Sequence, residues 1–271
     1  MTTARAIVLA RGLGTRMRAP DASAHLTPDQ HRAADAGLKA MIPLNGRPFL
    51  DFILSSLADA GIQKIALIVA PSHGALRHYY ETDAPPARVW LDFVVQQQAI
   101  GTANAVLSAE GWTGGEPFLV VNADNLYPAA ALSALAALAE PGLPAFDAEE
   151  LVKSSNIPAD RIKSFALLDI DAGGYLVGIV EKPSEDRSAE KHGRNYVSMN
   201  CWRFDERIFR ACREVPISAR GEFELPEAVG VLVRQGVRFK TFAARGPVLD
   251  LSTRADAADV ARRLVGLVPR P

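Results

Sequence analysis

The chain has 271 residues, of which 48% are hydrophobic and 23% charged, and its formal net charge is −1 at pH 7. This length can bury a substantial core, and a near-neutral balance without a block of Lys or Arg argues against nucleic acid and anionic membranes as main partners. Cys201 and Cys212 are too few for a disulfide framework or a zinc site, so we expect buried free thiols. A strand begins almost at the N-terminus and no apolar run approaches about 20 residues, so we expect a cytoplasmic protein without a signal peptide or membrane span.

The first half of the chain alternates between predicted strands and helices. Apolar runs predict strands at residues 4–9, 64–70, 88–96 and 118–124. Helical spacing predicts helices at residues 48–59, 102–110 and 129–140. Alternation in units of about 30 residues is typical of βαβ crossovers and predicts a mostly parallel sheet.

The second half has a different pattern. Two apolar stretches, 164–171 and 175–182, flank turn residues and predict an antiparallel hairpin. The remaining predicted elements are a strand over 195–204, a helix over 224–236, a strand near 238–243 and a terminal helix at about 253–266. Because no Ser/Gly linker or repeat interrupts the chain, we expect one α/β domain over residues 1–271. Its first half would bind one ligand and its second half would add another.

Gly12, Gly14 and Arg16 lie in a turn that follows the first strand. Glycines let the backbone turn tightly and let its N–H groups approach an anion. The next residues are expected to begin a helix whose N-terminus adds positive potential, and a guanidinium can bind phosphate oxygens through two nitrogens. The spacing matches neither a P-loop nor a G-x-G-x-x-G fingerprint, so an ordinary turn with a surface arginine is the competing interpretation.

Lys39 and Gln96 are two further candidates for ligand contacts. Lys39 precedes an apolar segment, a glycine turn and a helix, and it either reaches phosphates or stays a solvated surface charge. Gln96 stands at a strand end, where its amide offers a donor and an acceptor to the edge of a base. Gly101 would then permit flat contact with the ring, although a plain polar loop before a helix fits the same residues.

Carboxylates occupy the ends of several predicted strands, where open α/β sheets bind ligands. Asp124 follows an apolar strand, and Asp250 stands at a strand end before the terminal helix. Such residues are natural Mg²⁺ ligands, and one Mg²⁺ between phosphates usually takes one or two of them, although either Asp could cap the next turn instead. Glu181 and Lys182 also leave a strand together; a carboxylate suits sugar hydroxyls and an ammonium suits a phosphate.

In this order, the segments resemble those of the sugar-1-phosphate nucleotidyltransferases, also called nucleotide-sugar pyrophosphorylases, from Ile7 to about Val260. The matching segments are the G-x-G-T-R motif at Gly12–Arg16, the pattern of Lys39, Pro43 and Gly46, Gln96 ahead of Gly101, Thr102 and Ala103, the pair Asp124–Asn125, the triplet Glu181–Pro183, and RGEFELPEAV before Asp250. The family implies a Rossmann-like mixed sheet flanked by helices, with nucleotide and sugar pockets side by side. The nucleotide half would then be about 1–140 and the sugar-phosphate half about 141–271.

The resemblance also implies a reaction, in which a nucleoside triphosphate and a sugar 1-phosphate give a nucleotide-sugar and pyrophosphate. It implies these roles: Arg16 and Lys39 on the triphosphate, Asp124 and Asp250 on Mg²⁺, Lys182 on the incoming phosphate, Glu181 on sugar hydroxyls, and Gly12, Gly14, Thr15, Gln96, Gly101 and Thr102 on the nucleotide. One Gln amide matches the N3–H and adjacent carbonyl of uracil or thymine, which favours UTP or dTTP, with CTP next. A homo-oligomer is compatible with this interpretation, and no nucleic-acid or membrane partner is expected.

Three features depart from the family pattern. Arg11 stands where a small Ala is usual, and it either adds a phosphate contact or points away. Residues 17–38 are longer than the family spacing and form either a lid or a surface loop. Asn200 and Ser252 stand where glycine is common. Two alternatives therefore stay open: a cytidylyltransferase acting on a non-sugar phosphate or phosphonate, and a catalytically silent nucleotide-sugar sensor, which would predict loss of Lys39, Asp124 or Asp250.

Overall fold

The computed structural model describes residues 3–12, 14–21, 24–180 and 195–271. The predicted acceptor contacts Glu181 and Lys182 lie outside the described residues. Strands lie at β1 (Arg5–Leu9), β2 (Pro43–Leu44), β3 (Arg47–Pro48), β4 (Lys64–Val69), β5 (Trp90–Val95), β6 (Phe118–Asn122), β7 (Asn125–Leu126), β8 (Gly142–Asp147), β9 (Ala166–Ile170), β10 (Leu176–Val180), β11 (Tyr196–Ser198), β12 (Trp202–Phe204), β13 (Lys240–Ala244) and β14 (Leu249–Asp250).

The helices cover the faces and the ends of the sheet. They lie at α1 (Thr15–Arg18), α2 (Pro28–Asp35), α3 (Phe49–Asp59), α4 (Gly74–His78), α5 (Thr102–Leu107), α6 (Glu110–Thr113), α7 (Ala129–Ala137), α8 (Ala148–Ser154), α9 (Ala159–Ile162), α10 (Arg207–Glu214), α11 (Leu225–Arg234) and α12 (Asp256–Arg263). A 3₁₀ turn at Lys39–Met41 and a π-helical turn at Tyr79–Asp83 complete the helical segments of the described chain.

One ten-stranded sheet runs through both halves of the chain, in the order β10-β9-β11-β8-β12-β6-β1-β4-β5, with β13 beside β8. The strands β6, β1, β4 and β5 are mutually parallel, as is the pair β8 and β13. Followed through the pairings, β1, β4, β5, β6, β8, β9 and β13 point one way, whereas β10, β11 and β12 point the other. The prediction of a mixed, mostly parallel sheet flanked by helices is confirmed.

Alternate residues of the central strands face two separate apolar clusters. Ile7 and Val120 point into one cluster, while Val8 and Val121 point into the other. Successive side chains of a strand point to opposite faces, so a strand buried on both faces must be apolar throughout. This explains the unbroken apolar runs by which β1, β4 and β6 were predicted.

The second half differs from its prediction in two places. The strand predicted over 195–204 is two strands, β11 and β12, because Asn200 between them has a left-handed backbone with φ of 53°. Strand β8 was not predicted, since Gly142 and Pro144 are typical of turns. It nevertheless lies inside the sheet, between β11 and β12 on the main path and with β13 alongside. The hairpin of β9 and β10 is confirmed.

Candidate active site

The carboxyl ends of β1, β4, β5 and β6 open onto a cleft with a volume of about 250 Å³. Its lining includes six of the residues predicted from the motifs: Gly12, Lys39, Gln96, Gly101, Thr102 and Asp124. Parallel strands bind ligands at this edge of an α/β sheet because the loops that follow them converge there. Residues from distant parts of the sequence therefore meet at one place.

The glycine turn after β1 owes its shape chiefly to Gly14. This residue has φ of 61°, and a Cβ there would approach the carbonyl oxygen of Gly37 to 3.0 Å. Gly12 faces open space in the cleft, since no atom other than those of its chain neighbours lies within 4 Å of where its Cβ would be. The following helix α1, from Thr15 to Arg18, is a single turn. Its dipole is correspondingly small, so the expected positive potential comes from side chains rather than from a helix end.

Lys39 supplies the central positive charge of the site. Its ammonium group forms an ion pair with the Asp124 carboxylate at the end of β6. Burial acts to lower the pKa of Lys39, but attraction to Asp124 and Asp250 outweighs burial and raises it, so the group stays charged. Arg16 is exposed and is close enough to oppose this shift by repulsion. Its guanidinium makes no hydrogen bond or ion pair to any described residue, which leaves it available to an anion.

Asp250 lies next to Asp124 because the short strands β7 and β14 pair there. Asp250 is opposite Asn125 in this pairing, and the Leu251 N–H donates to the carbonyl oxygen of Asp124 over 2.9 Å. Burial raises the pKa of Asp250, and the nearby charge of Asp124 raises it further. Mutual repulsion of two close carboxylates is the usual cause of such a shift, and a cation between them relieves it.

Several donors hold the Asp250 carboxylate in place. Ser252 Oγ donates to both of its oxygens, over 2.8 and 3.0 Å, and Asn125 Nδ2 donates over 3.2 Å. Arg161 Nη1 donates over 2.7 Å, while its Nη2 donates to Asp256 over 3.0 Å. Glycine is common in the family at the position of Ser252. In this chain the serine hydroxyl makes a direct contact with a predicted metal ligand.

The two carboxylates fit a magnesium ion. The described residues contain no group of three or more His, Cys, Asp or Glu that could hold a metal. Mg²⁺ does not require one, because it usually takes one or two carboxylates, with water and substrate phosphates completing the octahedron. Asp124 and Asp250 meet this need, provided that their present cationic partners, Lys39 and Arg161, give way or turn to the substrate.

The predicted base contact, Gln96, is buried and already oriented. Its Nε2 donates to the carbonyl oxygen of Gly101 over 3.1 Å and to Asn104 Oδ1 over 2.9 Å. Both amide hydrogens are thereby used, whereas no described residue donates a hydrogen bond to Oε1. Gln96 thus offers the cleft an acceptor rather than the donor–acceptor pair expected from the sequence.

Gly101 and Thr102 shape the same side of the cleft. Gly101 has φ of 112°, and a Cβ there would overlap the backbone of Phe223. The close approach of Phe223 therefore requires glycine at this position. The Thr102 hydroxyl accepts a hydrogen bond from the Leu225 N–H over 2.9 Å, which ties α5 to the start of α11. Thr102 consequently has a structural contact in addition to its predicted place beside the nucleotide.

A comparison with known proteins agrees with this geometry. The family model described as "Nucleotidyl transferase" matches residues 5–253. The chain belongs to the nucleotidyl transferase family. The membership predicted from the ordered motifs is confirmed, and with it the prediction that the chain is an enzyme that transfers nucleotidyl groups.

Relatives of this nucleotidyl transferase align over nearly its whole length. It is similar to a UTP–glucose-1-phosphate uridylyltransferase of Haloferax volcanii, with 27% identity over 96% of both chains. It is also similar to a glucose-1-phosphate thymidylyltransferase of Streptomyces antibioticus, with 27% identity over 98% of this chain and 68% of that one. A solved UDP-glucose pyrophosphorylase complexed with UDP-glucose matches with a TM-score of 0.75 and 17% identity, covering 98% of this chain and 99% of that one. This likeness shows the Rossmann-like fold that the resemblance implied.

Arg161 and Arg254 are two residues of the nucleotidyl transferase that no sequence motif predicted. Arg254 is buried, and it donates to the carbonyl oxygens of Met17 and Arg18 at the end of α1, over 2.8 and 3.1 Å. The same guanidinium contacts His31 and Asp35 of α2. Where it is described, segment 17–38 is therefore not a plain surface loop, and its role as a lid stays a prediction. It contains a helix with a capping box, anchored to the loop that follows Asp250.

None of the helices in the described part of the nucleotidyl transferase is long and apolar enough to cross a membrane.

Proposed function

We propose that this nucleotidyltransferase transfers a uridylyl or thymidylyl group from UTP or dTTP to a sugar 1-phosphate and releases pyrophosphate. One observation carries the proposal. A single cleft presents the Lys39–Asp124 pair, suited to phosphates and a cation, beside the acceptor oxygen of Gln96, suited to a base. The names of the Haloferax and Streptomyces relatives support a sugar 1-phosphate as the acceptor and UTP or dTTP as the donor.

The choice of base follows from Gln96. Uracil and thymine present an N3–H donor, which the free Oε1 of Gln96 accepts. Cytosine has an acceptor at N3, and two acceptors facing each other repel. Because Nε2 of Gln96 is engaged by Gly101 and Asn104, an amide flip would break two hydrogen bonds. This arrangement favours UTP or dTTP over CTP, and so disfavours the cytidylyltransferase alternative.

The chemistry brings two anions together. An oxygen of the sugar phosphate attacks the α-phosphorus in line, the bond from that phosphorus to the oxygen bridging to the β-phosphate breaks, and pyrophosphate leaves. Such a reaction depends on positioning and on charge neutralisation. Lys39 would bind the triphosphate and Arg16 the leaving β- and γ-phosphates. Lys182 for the incoming phosphate and Glu181 for the sugar hydroxyls stay predictions from the motif.

Mg²⁺ is the proposed cofactor, and Asp124 and Asp250 would hold it. When bound, the ion would neutralise phosphate charge and polarise the phosphoryl oxygens. The ammonium group of Lys39 is attracted to both carboxylates, since both raise its pKa. Once phosphates enter, the ammonium group has an alternative anionic partner, which frees Asp124 for the cation.

The test is pyrophosphate release in the presence of Mg²⁺, with five nucleoside triphosphates crossed against a panel of sugar 1-phosphates and phosphocholine. We expect release that needs both UTP or dTTP and a particular sugar 1-phosphate. Reactions without acceptor measure background hydrolysis. Release with CTP and phosphocholine alone would replace the proposal with the cytidylyltransferase. If UTP and nucleotide-sugars bind but no pair releases pyrophosphate, the chain is a nucleotide-sugar sensor and the proposed activity is wrong.

A further inference from the structure

Four buried side-chain nitrogens of the described residues have no hydrogen-bond partner, and three of them lie together. They are Nε and Nη1 of Arg11 and Nδ1 of His73; the fourth, Nε1 of Trp202, is in the core. Burial and then the positive charges of Arg11 and Arg18 lower the pKa of His73, so its ring stays neutral near pH 7 and adds no positive charge beside Arg11. A buried unpaired donor costs free energy, and two on one guanidinium point to an acceptor that binds there.

Arg11 lies on the base side of the cleft. It follows β1, and its Nη2 donates over 3.2 Å to the carbonyl oxygen of Gln97, which follows β5. Strand β4 lies between those two strands, so the Arg11 side chain crosses the end of β4 and reaches the residue after Gln96. The Lys39–Asp124 pair stands on the other side of β1, at the end of β6. Arg11 also lines the cleft itself.

We propose that Arg11 is a base-reading residue, whose guanidinium turns into the cleft and donates to the O2 carbonyl of uracil or thymine. The inference rests on the proposed function and sharpens its choice of nucleotide. Turning into the cleft would give the two unpaired nitrogens an acceptor. An arginine side chain carries only donors, so its partner on the base must be an acceptor. A small residue, which is usual at this position in the family, could not make this contact through its side chain.

The edge of uracil shows why a third contact is needed. Its N3–H is flanked by two carbonyls, O2 and O4, and Gln96 Oε1 can serve only the N3–H. The Gly101 N–H donates to no acceptor among the described residues. It lies beside Gln96 and directly before α5, where it can donate to O4. The O2 carbonyl adjoins the nitrogen that carries the ribose, and the ribose leads to the phosphates. In the proposed pose O2 therefore lies toward the glycine turn. Arg11 begins that turn.

The experiment measures equilibrium binding of UTP, 2-thio-UTP and 4-thio-UTP by calorimetry, with the unaltered chain, Arg11→Ala and Arg11→Lys. Sulfur is a poor acceptor, so each analogue weakens one carbonyl contact. We expect Arg11→Ala to weaken UTP binding by about tenfold, as for loss of a hydrogen bond to a charged group. The 2-thio analogue should bind more weakly than UTP to the unaltered chain but equally well to Arg11→Ala. The loss caused by 4-thio should be the same in both proteins, because it reports on the other carbonyl.

Controls separate base reading by Arg11 from a contact to the phosphates. Arg210→Ala removes an exposed arginine on α10 and should leave all three affinities unchanged. If Arg11→Ala weakens UTP, CTP and pyrophosphate binding alike, Arg11 is a phosphate contact and the inference is wrong. If the 2-thio loss persists in Arg11→Ala while its melting temperature matches the unaltered chain, the inference is also wrong. An unaltered chain that binds no triphosphate overturns the proposed function itself, whereas these outcomes overturn the inference alone.

Discussion

The two sides of the cleft are held in place by different forces. On the base side, Gln96 and Gly101 are fixed by uncharged contacts: amide hydrogen bonds and the close backbone of Phe223. On the phosphate side, each of the two carboxylates has a cationic partner, Lys39 for Asp124 and Arg161 for Asp250. Gln96 and Gly101 on the base side are thus held in one arrangement, whereas the phosphate side consists of ion pairs that a charged ligand can replace.

The two sides of the cleft would therefore respond differently to substrate. Apart from the turn proposed for Arg11, the base side needs little rearrangement, because Gln96 Oε1 is left open while Nε2 of the same amide is paired. On the phosphate side, the ion pair between Lys39 and Asp124 must break, so that Lys39 can bind phosphate and Asp124 can bind the metal. The net free energy of binding is therefore smaller than the sum of the new contacts, because the existing ion pair is lost. The base side should therefore set which nucleotide binds, and the phosphate side should set the dependence on metal, salt and pH.

The largest effect is expected from Asp124→Asn, which removes a negative charge from the phosphate side. Pyrophosphate release should fall by about a thousandfold, because a proposed metal ligand is lost. The fold should persist, since Lys39 keeps the attraction of Asp250. Steady-state assays and thermal unfolding measure the two effects separately. Asp83→Asn, at an exposed carboxylate outside the cleft lining, is the matched control and should retain full activity. An Asp124→Asn variant with most of its activity would refute the metal assignment.

The next effect tests whether the base side is rigid. Gly101→Ala places a methyl group against the Phe223 backbone and forces a residue with φ of 112° into a conformation that alanine avoids. Displacement of Phe223 or Gln96 should lower kcat/KM by up to about a hundredfold. The Mg²⁺ concentration that gives half-maximal rate should not change. Gly111→Ala, where a Cβ meets open space, serves as the control. Unaltered affinity for UTP in Gly101→Ala would mean that the base side is not rigid.

A smaller effect is expected at the anchor between segment 17–38 and the Asp250 loop. Arg254→Ala removes donors to Met17 and Arg18, and so loosens α1, which carries Arg16. We expect kcat/KM to fall about tenfold, with a rise in KM for the triphosphate larger than the loss in kcat. Limited proteolysis should cleave within residues 17–38 faster than in the unaltered chain. Arg32→Ala, which breaks an exposed pair in the same segment, should change neither quantity. Equal proteolysis of Arg254→Ala would contradict the anchoring role.

Sequence patterns predicted the first half of the fold well because three of its strands, β1, β4 and β6, are buried on both faces. The second half was harder, since β8 contains Gly142 and Pro144, and only its neighbours β11, β12 and β13 make it a strand. The left-handed Asn200 that separates β11 from β12 likewise has no signal in the alternation of side chains. Local pattern cannot reveal a strand whose stability comes from partners distant in sequence.

The site was predictable where motif residues touch the cleft themselves. Lys39, Gln96, Gly101 and Asp124 were placed together by their order in the chain, and the structure brings them to one cleft. Their supporting residues were not predictable. Arg161 contacts Asp250 across 89 positions, and Arg254 contacts Met17 across 237. Neither arginine differs in local sequence from a solvated surface residue, so only tertiary packing shows its role.

The smallest effect concerns Ser252, whose hydroxyl donates to Asp250. Asp250 must be ionised to hold a cation, and burial and Asp124 raise its pKa while Ser252 and Arg161 oppose the shift. Ser252→Ala removes one opposing contact, so the pKa rises further and the acid limb of kcat/KM moves to higher pH. Activity should drop only about twofold at pH 8 and more at pH 6.

The same pKa shift changes how the free energy of unfolding depends on pH. A folded-state pKa above the unfolded value favours folding at low pH, and this contribution is lost as pH rises, so Ser252→Ala should lose more unfolding free energy at neutral than at acid pH. Ser252→Thr keeps the hydroxyl and should restore the acid limb, and an acid limb unmoved in Ser252→Ala would show that ionisation of Asp250 does not limit the reaction.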